Sequence, residues 1–115
     1  MTMTTMTVKE VVERLQLELL NDANLDRPIT GGYASDLLSC VLAGAKEGNI
    51  WVTLQAHVNV IAVASLIGLA AVVMTEGARP DEVTLAKARE EGINLLATQE
   101  NTFTVVGKLA KMGVE

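Results

Sequence analysis

The sequence predicts an α/β fold, a three-layer α/β/α domain around a mostly parallel central sheet of about five strands. Three observations carry that reading. Short runs rich in Val, Ile and Leu alternate with stretches of helical periodicity, and strands that alternate with helices require crossover connections, which give parallel sheets covered on both faces. Residues 50–54 and 69–74 are strand formers without strict polar alternation, as expected where both faces are buried. Half of the 115 residues are apolar, enough for one core of ordinary domain size, and no linker or internal repeat divides the chain.

The elements follow in order. Residues 1–6 lack periodicity and are set aside as a disordered leader, with 7–115 as a single domain. Thr7 and Glu10 match the N-cap and N3 positions of a capping box, and Met6 can still pair with Val11 as a hydrophobic staple. Val8, Val11, Val12 and Leu15 then recur at helical spacing, in a short helix ending near Gln16. Residues 17–20 read as a strand and 21–24 as its turn. A short extended segment from Leu25 meets the glycine pair Gly31-Gly32 in a loop, and Ser35 or Asp36 is placed to cap the helix that follows.

That helix, 36–46, carries Leu37, Leu38, Val41, Leu42 and Ala45 on one face and stops at Gly48. After the strand at 50–54, residues 55–58 form a loop and Asn59 caps a helix at 60–67. This helix is apolar all round, so it must be covered on more than one side, within the domain or by a second subunit. The strand at 69–74 leads into a turn at 75–78, and Pro80 opens the next helix with Asp81 and Glu82 in its first turn. That helix ends at Gly92. Residues 93–97 make the last strand, and Asn101 or Thr102 caps a final helix with Phe103, Val106, Leu109 and Ala110 turned inward.

Composition narrows the function. A net charge of -5, nine scattered Lys and Arg and 3% aromatics argue against nucleic acid, which is bound through clustered cations and stacking rings. The apolar run 60–74 is shorter than the ~20 residues a membrane span needs, and Gly68 divides it. Cys40 is alone, expected as a buried inert thiol, and no signal peptide precedes the domain, so a cytoplasmic location without membrane association is expected.

In an open parallel sheet the ligand crevice lies beyond the carboxyl ends of the strands. Four loops are expected to converge there: 30–35, 55–59, 75–78 and 98–102. Gly31 and Gly32 can take positive φ and offer bare N-H groups to an oxyanion at a helix start, or they can serve a tight turn or close packing. Arg27 can fork a phosphate or carboxylate, or pair internally with Asp26 or another loop carboxylate. Gln55, His57, Asn59, Thr75 and Glu76 would orient a ligand. The pattern is neither the dinucleotide fingerprint nor a P-loop. His57 is the single histidine, so no metal site is expected, and Ser35, His57 and Asp36 lack a carboxylate placed to orient the base, so no catalytic residue is assigned.

Asp26, Arg27, Thr30, Gly31 and Gly32, followed by Ser35-Asp36, form the motif Asp-Arg-Pro-Ile-Thr-Gly-Gly, which resembles the signature of the DRTGG domain. Trp51 to His57, Thr75-Glu76-Gly77 and Thr102-Phe103 are similar to the family as well, so the resemblance runs from about Val8 to Gly113. It implies a regulatory or ligand-sensing module, of the kind found free-standing, beside CBS domains and in some phosphotransacetylases, and similar to the N-terminal domain of HPr kinase. The ligand-binding set expected on both grounds is Asp26, Arg27, Thr30, Gly31, Gly32, Ser35, Asp36, Gln55, His57, Asn59, Thr75, Glu76 and Gly77. The expected ligand is a small anionic metabolite or adenine nucleotide, with no resident cofactor, and the expected partners are a second copy in a homodimer and an unidentified protein. The alternative is a pure interaction module with no pocket.

Overall fold

Apolar runs separated by helical stretches fold as they read. The computed structural model describes residues 6–115; of the leader expected at residues 1–6, residues 1–5 lie outside them. Along the chain come α1 (Val8–Leu15), β1 (Glu18–Asn21), β2 (Gly31–Ala34), α2 (Leu38–Gly44), β3 (Asn49–Thr53), α3 (Val58–Ile67), β4 (Ala71–Met74), α4 (Glu82–Glu91), β5 (Leu95–Ala97) and α5 (Thr102–Lys111). The five strands make one sheet in the order β1-β5-β4-β3-β2. β2 to β5 are parallel neighbours, and β1 runs antiparallel to β5 at the edge.

Sequential parallel neighbours joined by crossovers of one hand put their helices on one face. Accordingly α2, α3 and α4 lie together, and Val41, Val60, Ile61, Ala64 and Ala88 pack with Trp51, Val72, Met74 and Leu95. α1 and α5 cover the other face, where Val8, Val11, Leu15, Val105 and Leu109 meet Ile50, Val52, Val73 and Leu96. α3 buries Val60, Ile61, Val63 and Ala64 against the sheet and its neighbours α2 and α4, while its outer side stays open, with Leu66 78% exposed.

Local signals set most boundaries. The capping box forms in both directions, with the Glu10 N-H donating to Thr7 Oγ1 at 3.3 Å and the Thr7 N-H to Glu10 Oε1 at 3.2 Å. Met6 belongs with the domain: its carbonyl accepts from the Ile29 N-H at 2.8 Å. Several expectations are corrected. The extended lead-in is not a sheet strand, since Pro28 makes only an isolated bridge to Thr7, and the glycine pair expected in a loop is the strand itself. α2 begins at Leu38 with Leu37 as an N-cap that offers no side-chain bond. His57, not Asn59, caps α3, and Asp81 caps α4, so Pro80 precedes the helix.

Two faces also turn the other way. In α5 the inward positions are Val105 and Leu109, while Phe103 is 87% exposed and Val106 38% exposed. In α2 only Val41 is fully buried; Leu37 and Leu42 face outward, and Cys40 is exposed, not a buried thiol. Both helices sit at the end of the sheet where no further strand demands a second apolar stripe.

One buried polar residue ties the edge together. Asn94, 3% exposed, accepts from the N-H groups of Ala23 and Asn24 and donates to the carbonyls of Asn24 and Ala70, all at 2.8 to 2.9 Å. Asn94→Ala leaves those backbone groups without partners and is expected to cost about 2–4 kcal/mol. Asn94→Asp should be no better, because a carboxylate would face two carbonyls. Urea unfolding midpoints check this, and a midpoint unchanged in both variants would refute it.

The α4 cap supplies a pH test. Asp81 accepts from the Thr84 N-H at 2.9 Å and the Thr84 hydroxyl at 2.8 Å, which hold its carboxyl below the usual range. With the folded value depressed, the stabilisation is complete above the unfolded value of about 3.9 and is lost as pH falls through the folded one. The stability gap between wild type and Asp81→Ala should therefore be present at pH 7 and shrink on acidification below about pH 4. A gap that widens with acid would contradict it.

Candidate functional site

Parallel strands give the sheet two chemically different ends, and the residues expected to form one site divide between them. β4 alone separates the ends by four residues, roughly 13 Å. At the amino end, the Arg27 guanidinium donates from Nη2 to the Gly68 carbonyl at 2.6 Å, where α3 terminates. A cation there complements the negative end of the helix dipole. The internal pair of Arg27 with Asp26 does not form; Asp26 is exposed, with its N-H on Asn24 Oδ1. Thr30 donates from Oγ1 to the Glu47 carbonyl at 2.8 Å and accepts from Asn49 Nδ2 at 3.2 Å.

Gly31 and Gly32 have no positive φ. What they permit is close approach of the chain's last residues. The Gly32 N-H donates to the Glu115 carbonyl at 2.7 Å, and a Cβ on Gly31 would lie 2.6 Å from that same oxygen. The N-H expected to cradle an oxyanion is therefore taken by the chain itself.

At the carboxyl end, Asp36 Oδ1 accepts from Thr53 Oγ1 at 2.7 Å and from the Leu54 N-H at 2.9 Å, joining β2 to β3, while Gln55 donates to the Asp36 carbonyl at 3.1 Å. Ser35 Oγ accepts from the Leu37 N-H at 3.1 Å. The His57 ring accepts through Nδ1 from the Asn59 N-H at 3.1 Å, leaving the proton on Nε2. Ser35 and His57 bond within their own loops and Asp36 bonds to Thr53 and Leu54, so the three do not assemble as a relay. Among the described residues, no three His, Cys, Asp or Glu side chains gather as metal ligands.

Thr75, Glu76 and Gly77 do something else. Thr75 is buried, and its hydroxyl lies 2.7 Å from that of Thr102. Glu76, at φ 63, accepts from the Thr102 N-H at 2.9 Å, and its own N-H donates to the Glu100 carbonyl at 2.8 Å. The turn thereby docks the start of α5 on the end of β4. After β4 the chain passes to the face of α4, whereas after β5 it passes to the face of α5. Where neighbouring strands send their connections to opposite faces, a crevice opens between them.

That crevice is a cleft of about 380 Å³, walled by Gly77, Ala78 and Arg79 after β4, by Thr98, Gln99 and Glu100 after β5, and by Leu15, Gln16, Glu18 and Lys108. Of the residues expected from the sequence, Gly77 reaches it; a Cβ there would meet Gln99 Oε1 at 2.8 Å, at a φ of +76. Arg79 grips Glu18 in a bidentate pair at 2.7 and 2.8 Å, and Lys108 donates to both oxygens of Glu100 at 2.9 and 2.7 Å. The guanidinium bonds hold the Glu18 carboxyl below its usual range. Both pairs are half exposed, so they add little to stability and can exchange partners. Sequence reasoning missed Arg79 and Lys108, because each is a lone surface cation in the sequence and only the sheet order brings them to one cleft.

Comparison with known proteins agrees with this architecture. The DRTGG domain model matches residues 1–112. Among solved structures, the CBS and DRTGG domains of the regulatory region of Clostridium perfringens pyrophosphatase, complexed with the activator diadenosine tetraphosphate, superpose with a TM-score of 0.72 at 16% identity. The likeness covers 88% of this chain and 44% of that one, so this chain spans less than half of that regulatory region. No curated protein matches the sequence. With the motif, the sheet order and the family match in agreement over nearly its whole length, this chain belongs to the DRTGG domain family.

Proposed function

We propose that this chain is a non-catalytic regulatory module of the cytoplasm that senses a small anionic metabolite or nucleotide and passes its state to a partner protein. The carrying observation is the cleft between the ends of β4 and β5. Its volume lies within the roughly 300–1,000 Å³ of small-molecule sites, and two cations on its walls are held only by exchangeable surface carboxylates. Adenine nucleotides are the first ligands to try, since the similar pyrophosphatase region is complexed with diadenosine tetraphosphate. In this reading Arg79 and Lys108 take the anion, Gly77 leaves room for it, and Thr75 with Glu76 hold α5 where Lys108 can reach. Arg27, Thr30 and the glycine pair serve the opposite end of the sheet. No helix of the described residues is long and apolar enough to cross a membrane.

Thermal shift with diadenosine tetraphosphate, ATP and AMP tests the reading. A ligand at 100 times its Kd adds about 2.7 kcal/mol to folding, which raises Tm on the order of 10 °C for a domain of this size. Arg79→Ala, which disturbs only an exposed pair, should fold normally and lose the shift. Flat melts across the set, or an equal shift in Arg79→Ala, would refute the site.

The outward face of α5 favours association of two copies as a second reading. Val106, one turn from the exposed Phe103, lines a small apolar groove with Val52, Leu109, Ala110 and Val114. Under it Phe103→Asp is expected to convert a dimer to a monomer in sedimentation velocity without lowering Tm. A wild-type protein that is monomeric at every concentration would dismiss it.

A further inference from the structure

The cleft does not end at Lys108. A second groove of about 280 Å³, walled by Arg14, Lys108, Lys111 and Met112, shares Leu15 and Lys108 with it, so the two adjoin at those side chains. The groove arises where α1 and α5 pack against each other, with Arg14 in the last turn of one helix and Lys108 and Lys111 one turn apart on the other. Among the described residues, neither Arg14 nor Lys111 has a carboxylate within ion-pair distance.

The charge distribution is therefore uneven. In a chain of net charge -5, four of its nine Lys and Arg line these two adjoining hollows, against the two carboxylates Glu18 and Glu100. A single cation would suit any monoanion. Three cations on one groove, two of them unpaired and with Leu15 and Met112 as its other lining residues, suit a ligand that carries several charges. The larger cleft instead mixes Arg79 with Gln16, Thr98 and Gln99, neutral groups able to hydrogen-bond a sugar or base.

Building on the sensing role argued above, we infer that the ligand is an oligophosphate ester whose first phosphate meets Arg79 and Lys108 in the larger cleft, beside its uncharged end, and whose further phosphates run on past Lys108 to Arg14 and Lys111. Lys108 is the junction. Its ammonium leaves Glu100 to join the phosphates, and Glu100 lies beside the turn that docks α5 through Glu76, so occupancy of the groove is coupled to the seat of that helix.

Calorimetric titration of the whole chain with AMP, ADP, ATP and tripolyphosphate at one fixed salt concentration tests this. Charge-assisted bonds to phosphate are each strong enough to change affinity about tenfold. Kd should fall about tenfold or more from AMP to ATP, and tripolyphosphate should bind. The Arg14→Ala, Lys111→Ala double variant, both positions being exposed, should keep its melting temperature, weaken ATP and tripolyphosphate about tenfold to a hundredfold, and leave AMP within about twofold. Equal Kd for AMP and ATP, or equal weakening of both by the double variant, overturns the oligophosphate assignment and leaves the first cleft standing. Absence of binding by all four probes overturns both.

Discussion

A few hydrogen bonds at the end of β4 hold the place where this chain, after three helices on one face, returns to the face of α1. Thr75 and Glu76 bind Thr102 and so pin the start of α5 across the sheet from α4. All earlier crossovers stay on one face, because parallel strands in sequential order take connections of one hand. The departure at β5 adds α5 to the face of α1 and opens the cleft at the same point, and the polar residues found there are two threonines and a glutamate in the left-handed region.

The family motif takes on a physical meaning from its partners. Arg27 closes the end of α3, Thr30 bridges to the Glu47 carbonyl, and the two glycines let the last residues lie against the edge strand. These contacts span long sequence separations and secure the amino end of the sheet. An edge strand presents unpaired backbone groups to solvent, and the Glu115 carbonyl takes up one of them, the Gly32 N-H. The bonds of the motif thus fasten the amino end of the sheet, the end opposite the cleft between β4 and β5.

The same division explains the charge pattern. Arg79 and Lys108 reach the cleft from elements far apart in sequence and are neutralised by carboxylates on exposed side chains. Such pairs contribute little to folding. Their geometry is nevertheless bidentate, which is the arrangement by which carboxylates and phosphates substitute for one another at a guanidinium.

By itself the sequence determined the layers and nearly every element. Alternation of apolar runs with helical periods, the Thr7 and Glu10 capping box and the Asn101 cap are local patterns, and local patterns survive without knowledge of distant partners. It could not decide which α5 face is buried, since Phe103, Val106 and Val105, Leu109 are both apolar stripes, and only the sheet chose between them. Nor could it say that Arg27 and Glu76 lie at opposite ends, or that Arg79 and Lys108 share a cleft. Those facts follow from strand order and from the change of face after β5, and strand order is a property of long-range pairing that no local stretch of residues encodes.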